Sequence, residues 1–249
     1  MNYQQMARDA TNLVQQASQI ACDLQQNGLQ ISKKQDGSTV TNADIACEKI
    51  IVEGLRKLYA HIPVISEEEH SAGNLVAKQS SFWLIDPIDS TNAYASGSDE
   101  YAICVGLITQ GKPVLGIVGA PGKHQTYVGI VEDYTSYGVD TQGNQQLISV
   151  RKRDPFNIVA VESPSSVSYK MDTDNVSYVR VNSAIKFAWV AQGWADVYIR
   201  NSWLSEWDIA AGHALVLAAG GSMTDIKGQA IVYDNPGLIS PPFIATGKI

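Results

Sequence analysis

The stretch Phe82-Trp83-Leu84-Ile85-Asp86-Pro87-Ile88-Asp89-Ser90-Thr91 carries a short apolar run straight into two acids and two hydroxyls. Four consecutive apolar residues bounded by a turn signal read as a buried strand. Pro87 has no N–H to give to a ladder, so the strand is expected to break there. Asp86 and Asp89 then leave one strand end together, and carboxylates so placed can converge on a hard cation that prefers oxygen ligands. An Asx-type turn with solvated aspartates would use the same letters. What separates the two readings is whether the chain brings further acids to the same place.

Upstream, the apolar run Ile62 to Ile65 leads into Glu67-Glu68-Glu69, which by itself reads as a solvated acidic turn. Before it, Met6, Ala10, Leu13, Val14, Ala17, Ile20, Ala21 and Leu24 recur at helical spacing, with Gly28 as a stop. Lys33 to Ser38 (KKQDGS) reads as a loop. Thr41 opens a second helix, carrying Ile45, Ile50, Ile51, Leu55 and Leu58 and ending before Pro63. Asp44, three residues after Thr41, completes a capping-box pattern, a role compatible with chemistry.

Downstream, Tyr101 to Ile108 and Val114 to Ala120 flank the turn Gln110 to Pro113, Thr126 to Val131 continues a meander, and Leu147 to Val150 could close the sheet. Arg151 to Pro155 (RKRDP) marks a plausible boundary, giving an α+β half over 1–150 and an α/β half over 151–249. In the second half Ile158 to Val161, Tyr178 to Val181 and Val197 to Arg200 read as strands, and Ser183 to Gln192 as a helix. Trp207 to Ala219 reads as a helix stopped by Gly220-Gly221. Asp208 stands at its start, where the macrodipole favours a carboxylate in any case.

A net charge of −7 over 249 residues argues against a nucleic-acid polymer as partner, since a phosphate backbone demands a basic face. A small phosphorylated metabolite stays compatible if metal ions supply the missing positive charge. Cys22, Cys47 and Cys104 are widely spaced and form no C-x-x-C pair, which disfavours a disulfide framework or structural zinc and fits a reducing compartment. The N-terminus lacks the basic start and apolar run of a signal peptide, and no uninterrupted apolar stretch approaches the ~18 residues of a membrane span. The expectation is a cytoplasmic protein with no membrane insertion, its oligomeric state left open. Gly116 to His124 imitates a Walker A loop but has five residues between Gly116 and Gly122 and no Ser or Thr at the last position, so it reads as a strand entering a turn. His213, on an alanine-rich helix face, reads as packing.

VTNAD (Val40 to Asp44), PVISEE (Pro63 to Glu68), FWLIDPIDST, KPVLGIVGAP (Lys112 to Pro121), NSAIKF (Asn182 to Phe187) and WDIAAGHALVLAAGG (Trp207 to Gly221) follow one another in the order seen in a known family. The chain resembles the inositol monophosphatase-like family of lithium-sensitive magnesium phosphatases, and within it the 3′(2′),5′-bisphosphate nucleotidase branch, from about residue 35 to the end. The resemblance implies a layered α/β/α/β/α sandwich and two or three Mg²⁺ ions. It implies Glu67, Asp86, the Ile88 carbonyl, Asp89 and Asp208 as metal ligands, and Asp44 with Thr91 as the pair that orients and deprotonates the attacking water. Ser90 and Thr91, at a helix start, would hold phosphate oxygens. Ser183 and Lys186 match positions that meet the nucleotide, and Arg200 is a looser match.

Two positions depart from the family pattern. Ser90 stands where the family has the glycine of D-G-T, and Asn182 replaces the glycine of G-S-[SA]-x-K. If the first glycine serves a positive φ, serine strains the phosphate contact. Adenosine 3′,5′-bisphosphate, cleaved to AMP and phosphate, is the leading substrate expectation. An inositol monophosphate or sugar bisphosphate is the runner-up, and a non-catalytic phosphometabolite-binding paralogue is a third reading, opposed by retention of every acidic ligand.

Overall fold

The computed structural model describes residues 1–164, 171 and 174–248. Helix α1 (Tyr3–Gln26) starts where the Asn2 side chain accepts the Gln5 N–H at 3.1 Å, and it buries Met6, Ala10, Val14, Ala17 and Ala21 on one face. A hairpin, β1 (Ile31–Lys33) and β2 (Thr39–Thr41), brackets the KKQDGS turn, so Lys33 belongs to a strand and not to the loop. Helix α2 (Asn42–Leu58) has the expected capping box at Thr41 and Asp44. Its inner face is Ala43, Cys47, Ile51, Val52 and Leu55, whereas Ile45 and Leu58 are half exposed. The expected Ile51 and Leu55 are thus buried, and the smaller Ala43 and Cys47 complete the face in place of Ile45 and Leu58.

A seven-stranded sheet follows in the order β3 (Val64–Ser66), β4 (Ser81–Asp89), β5 (Ala102–Thr109), β6 (Lys112–Ala120), β7 (Gln125–Ile130), β8 (Thr135–Asp140) and β9 (Gln145–Leu147). Short helices α3 (Glu67–Ser71) and α4 (Thr91–Ala95) leave the ends of β3 and β4. The meander is as expected, with two corrections. Strand β8 was not anticipated, and the last strand is Gln145–Leu147 and not Leu147 to Val150. Central strands covered on both faces read as continuous apolar runs. In β4, Trp83 and Ile85 join the core under α1 and α2, while Phe82 and Leu84 join the core on the opposite side.

The second half supplies β10 (Ile158–Glu162), β11 (Val176–Arg180), α5 (Ile185–Ala191), β12 (Val197–Arg200), β13 (Leu204–Ser205), α6 (Glu206–Ala218), β14 (Ser222–Asp225), β15 (Ile239–Ser240) and β16 (Phe243–Thr246). A five-stranded sheet has the order β11-β10-β12-β16-β14, parallel across β11, β10 and β12. Helices α5 and α6 lie between the two sheets, so the layers run helix pair, sheet, helix pair, sheet. The chain thus adopts the layered α/β fold. Four of the five expected layers are present among the described residues; residues 165–170, 172 and 173 of the β10–β11 connection lie outside them. The core between the sheets draws on both sides of position 150, from Phe82 and Leu84 to Phe187, Ile209 and Phe243.

A row of glycines seats α6. Gly106 pairs with Gly116, and Gly116 pairs with Gly129, across three adjacent strands. A Cβ at Gly116 would stand 2.1 Å from the Ala211 carbonyl oxygen, and one at Gly129 would stand 2.6 Å from the Leu215 Cα. The helix backbone therefore rests directly on the sheet, and only glycine permits that approach. Gly116→Ala must push α6 away, and because the clash is with backbone the cost is expected at or above the upper end of the ~1–3 kcal/mol typical of overpacking. A fall in the urea midpoint with unchanged m-value is the expected result; wild-type stability in this variant would contradict the direct seating.

Candidate active site

Pro87 does not break β4, which runs on to Asp89. Asp86 pairs with Cys104 and Asp89 with Ala102, so three steps along β4 oppose two along β5. That irregularity is a β-bulge, which accommodates Pro87 without an N–H. It also solves a problem of direction. Residues three apart on a regular strand face opposite ways, but one extra residue restores the side. Ile88 accordingly turns into the core under α1 and α2. Asp86 and Asp89, opposite Cys104 and Ala102, face the α6 side.

Helix α6 arrives there N-terminus first. Asp208 is its third residue and accepts the Ser205 N–H at 2.9 Å, a capping box with Ser205. Helix α3 brings Glu67 from the neighbouring strand. Single carboxylate oxygens of Glu67, Asp86 and Asp208 all lie within 4.8 Å of one another. Asp89 sits beside this trio, lines a cavity with Asp208, and accepts a short hydrogen bond from the Ala184 N–H.

The three glutamates of ISEEE have separate jobs. Glu67 joins the cluster, Glu68 pairs with Lys34 at 2.6 Å, and Glu69 takes two bonds from Arg56 at 2.8 and 2.6 Å. Lys34 also reaches Glu67 at 2.7 Å. Glu48, one turn after Asp44 on α2, accepts the Glu68 and Glu69 N–H groups at 3.0 and 3.2 Å, fixing the start of α3. Lys34 and Glu48 were missed from the sequence. The readable signal for Glu48 was an acid at i+4 from Asp44, on the inner face of an amphipathic helix.

Electrostatics mark the cluster. Burial first, and then the charges of Glu67, Asp89 and Asp208, hold Asp86 well above the usual carboxylate range. Asp208 is raised in the same way, by burial and then by Asp89 and Glu67. Burial also raises Asp89, while the Lys186 ammonium and the Ala184 N–H oppose the rise. Buried like charges of this kind hold protons until a cation replaces them. The donors are all carboxylate oxygens, the ligand type a hard cation prefers, and their mutual distances within 4.8 Å let one ion reach all three. The residues fit a hard divalent cation.

Asp44 divides its two oxygens. Oδ2 accepts the Thr41 N–H at 2.8 Å and the Thr41 hydroxyl at 2.6 Å, completing the cap. Oδ1 stays available to the Thr91 hydroxyl at 3.2 Å. The same hydroxyl lies 3.0 Å from the Ile88 carbonyl oxygen. Burial raises Asp44, with the Thr41 and Thr91 bonds opposing, and a raised carboxylate is a better base near neutrality.

Ser90 has φ 74 and ψ 49, the left-handed conformation that glycine takes without cost. The strain anticipated at this substitution is therefore present. Asn182 does not have positive φ, but its neighbour Ser183 does, at φ 61. Beside the acids lies a cavity of about 140 Å³ lined by Asp89, Ser90, Ser183, Lys186, Arg200 and Asp208, among others. Thr91, the first residue of α4, does not line this cavity; its hydroxyl is turned to Asp44 and the Ile88 carbonyl. Lys186 is buried, donates to the Val181 carbonyl at 3.1 Å and lies 5.2 Å from the Tyr198 ring centre. Arg200 donates to the Ser163 hydroxyl at 3.0 Å, and its buried Nε has no partner among the described residues. His213 is packing, as expected: it is buried against the Tyr233 hydroxyl at 3.0 Å and pushed down to about 3 by desolvation, hence neutral.

Comparison with known proteins gives a consistent answer. The sequence model of the inositol monophosphatase family matches residues 2–247. The 3′(2′),5′-bisphosphate nucleotidase CysQ of Salmonella typhimurium is 34% identical over 249 residues, covering 97% of each chain. CysQ of Escherichia coli K12 is 32% identical over 218 residues, covering 84% of this chain and 87% of that one. Among solved structures, CysQ from Bacteroides thetaiotaomicron superposes with a TM-score of 0.83 at 24% identity, covering 100% of this chain and 99% of the other. An inositol monophosphatase from Zymomonas mobilis reaches 0.78 at 22% identity, covering 100% and 94%. No helix among the described residues is long and apolar enough to cross a membrane.

Proposed function

The chain belongs to the inositol monophosphatase family, whose members hydrolyse phosphomonoesters with metal ions, and we propose that it is a magnesium-dependent 3′(2′),5′-bisphosphate nucleotidase. Its substrate is then adenosine 3′,5′-bisphosphate, cleaved at the 3′-phosphate to give AMP and inorganic phosphate. The observation that carries this reading is the pairing of an acidic cluster with a cationic cavity. Lys186 and Arg200 line the same cavity as Asp89 and Asp208, so a substrate with two phosphates would meet acid-held metal ions with one and fixed cationic side chains with the other. Relatives named as nucleotidases cover nearly the whole chain.

In this assignment Glu67, Asp86, Asp89, Asp208 and the Ile88 carbonyl hold two or three Mg²⁺ ions. When bound, the ions lower the pKa of the attacking water and offset charge on the phosphoryl oxygens. The chain's own residues do the rest. The Thr91 hydroxyl oxygen takes a proton from the water as it passes its own to Asp44 Oδ1, at 3.2 Å, so the threonine stays neutral and Asp44 ends protonated. Asp44 is kept in place for this by Thr41 through the other oxygen. Backbone N–H groups of Ser90 and Thr91, at the start of α4, meet the phosphate oxygens. Lithium inhibition at millimolar-scale concentrations follows from the family assignment.

Lys186 tests the substrate. Burial pushes its ammonium down to about 8, with Asp89 opposing and Arg200 reinforcing. The cationic form is present below that pH and lost above it, so kcat/KM for the bisphosphate is expected to fall as pH rises through about 8. Lys186→Met keeps the volume, removes that limb and costs about 1.5–3 kcal/mol, roughly ten- to a hundredfold in kcat/KM for the bisphosphate. Inositol 1-phosphate, with no second phosphate, should be affected much less. Equal losses on both substrates, or a wild-type preference for inositol 1-phosphate, would favour an inositol monophosphatase instead.

A further inference from the structure

Asp89 owes its orientation to a turn from the other half of the chain. The Ala184 N–H donates to Asp89 Oδ2, and Ala184 follows Asn182 and Ser183 in a turn where Ser183 has φ 61. A non-glycine residue in that conformation is held there by its surroundings and not by its own preference. The holding contact is visible. Glu100 Oε2 accepts the Asn182 backbone N–H at 3.1 Å and the Asn182 side-chain Nδ2–H at 2.9 Å. Glu100 lies on the connection from α4 to β5, downstream of Ser90 and Thr91, so the contact ties the wall that carries the acids to the wall that carries Ser183 and Lys186.

We infer that Glu100 and Asn182 form a clamp that positions Asp89 for metal binding, through the Ala184 N–H, and that the amide of Asn182 adds a tie a glycine at that position would lack. The inference rests on Asp89 being a metal ligand. Glu100 and Asn182 are positioning residues and take no part in proton transfer. The carboxylate acts as a two-donor acceptor, so its oxygen matters more than its charge. Outer-shell partners of metal-binding carboxylates typically change affinity by ~10–100-fold when removed.

The test is calorimetric titration of the metal-free full-length protein with magnesium, for wild type, Glu100→Ala, Glu100→Gln and Asn182→Ala, with the melting temperature of each metal-free variant alongside. Glu100→Ala is expected to weaken magnesium binding about tenfold. Glu100→Gln should recover most of that loss, since the carboxamide oxygen still accepts both bonds. Asn182→Ala keeps the backbone donor and should fall between wild type and Glu100→Ala, and it serves as the probe if Glu100→Ala does not fold. A lowered melting temperature with unchanged magnesium affinity would reduce the pair to a structural contact and overturn the clamp. Equal losses in Glu100→Ala and Glu100→Gln would overturn it too, by making charge the cause. Absence of magnesium binding by wild type would instead overturn the metal-centre reading beneath it.

Discussion

In the Asp89→Asn variant, phosphomonoester turnover is expected to fall by more than the ~10–100-fold that loss of an outer-shell partner costs, because a ligand charge itself is removed. The fold should persist, since the carboxamide oxygen can still accept the Ala184 N–H that Asp89 accepts now. Stability should move the other way. Asp86 and Asp208 are raised partly by the Asp89 charge, so neutralising it relieves repulsion in the metal-free protein. Metal-free Asp89→Asn is therefore expected to melt above metal-free wild type, and to gain less from added magnesium. The sign with pH follows. In the metal-free native state these carboxyls keep protons at a pH where the unfolded chain, with values near ~4, has released them. That state then loses stability as pH rises through the native values, while metal affinity grows. Near-normal turnover of Asp89→Asn at saturating magnesium would remove Asp89 from the ligand set.

Thr91→Ala carries the second large effect. Its hydroxyl is the only part of Thr91 that touches both Asp44 Oδ1 and the Ile88 carbonyl among the described residues. Without it Asp44 keeps its cap through Thr41 but has no relay to a water. General acid–base contributions are typically ~10²–10⁴-fold, and the loss is expected in kcat with KM little changed. Thr91→Ser, which keeps the oxygen, should recover most of the rate. A rise in KM with kcat intact would make Thr91 a binding residue and leave Asp44 as no more than a helix cap.

Each acid leaves a local mark that a bland structural role would also explain. Asp86 and Asp89 sit within four residues, Asp208 opens a helix, and Thr41 with Asp44 spells a cap. The motif order added the rest, including the positive φ at Ser90, visible as a departure from glycine. What stayed hidden depends on partners distant in sequence. Pro87 suggested a strand end, but the bulge that lets Asp86 and Asp89 face one way is a register with β5 and has no local sign. Gly106, Gly116 and Gly129 look like isolated glycines in strands, and only the sheet shows them as one seat for α6. In α2 Ile51 and Leu55 are buried as read, but Ile45 and Leu58 are exposed, and the small Ala43 and Cys47, which carry little periodic signal, complete the inner face. Glu100 and Asn182 are 82 residues apart, and nothing in either neighbourhood announces the other.

Inorganic phosphate release from adenosine 3′,5′-bisphosphate by the wild-type protein, stripped of metal and then titrated with magnesium, tests the central claim most directly. The account predicts a negligible rate without metal, a saturable rise with magnesium, AMP as the only nucleotide product, and a kcat/KM above that for inositol 1-phosphate. A rate that metal removal leaves unchanged, or no phosphate released from the bisphosphate at any magnesium concentration, would contradict it.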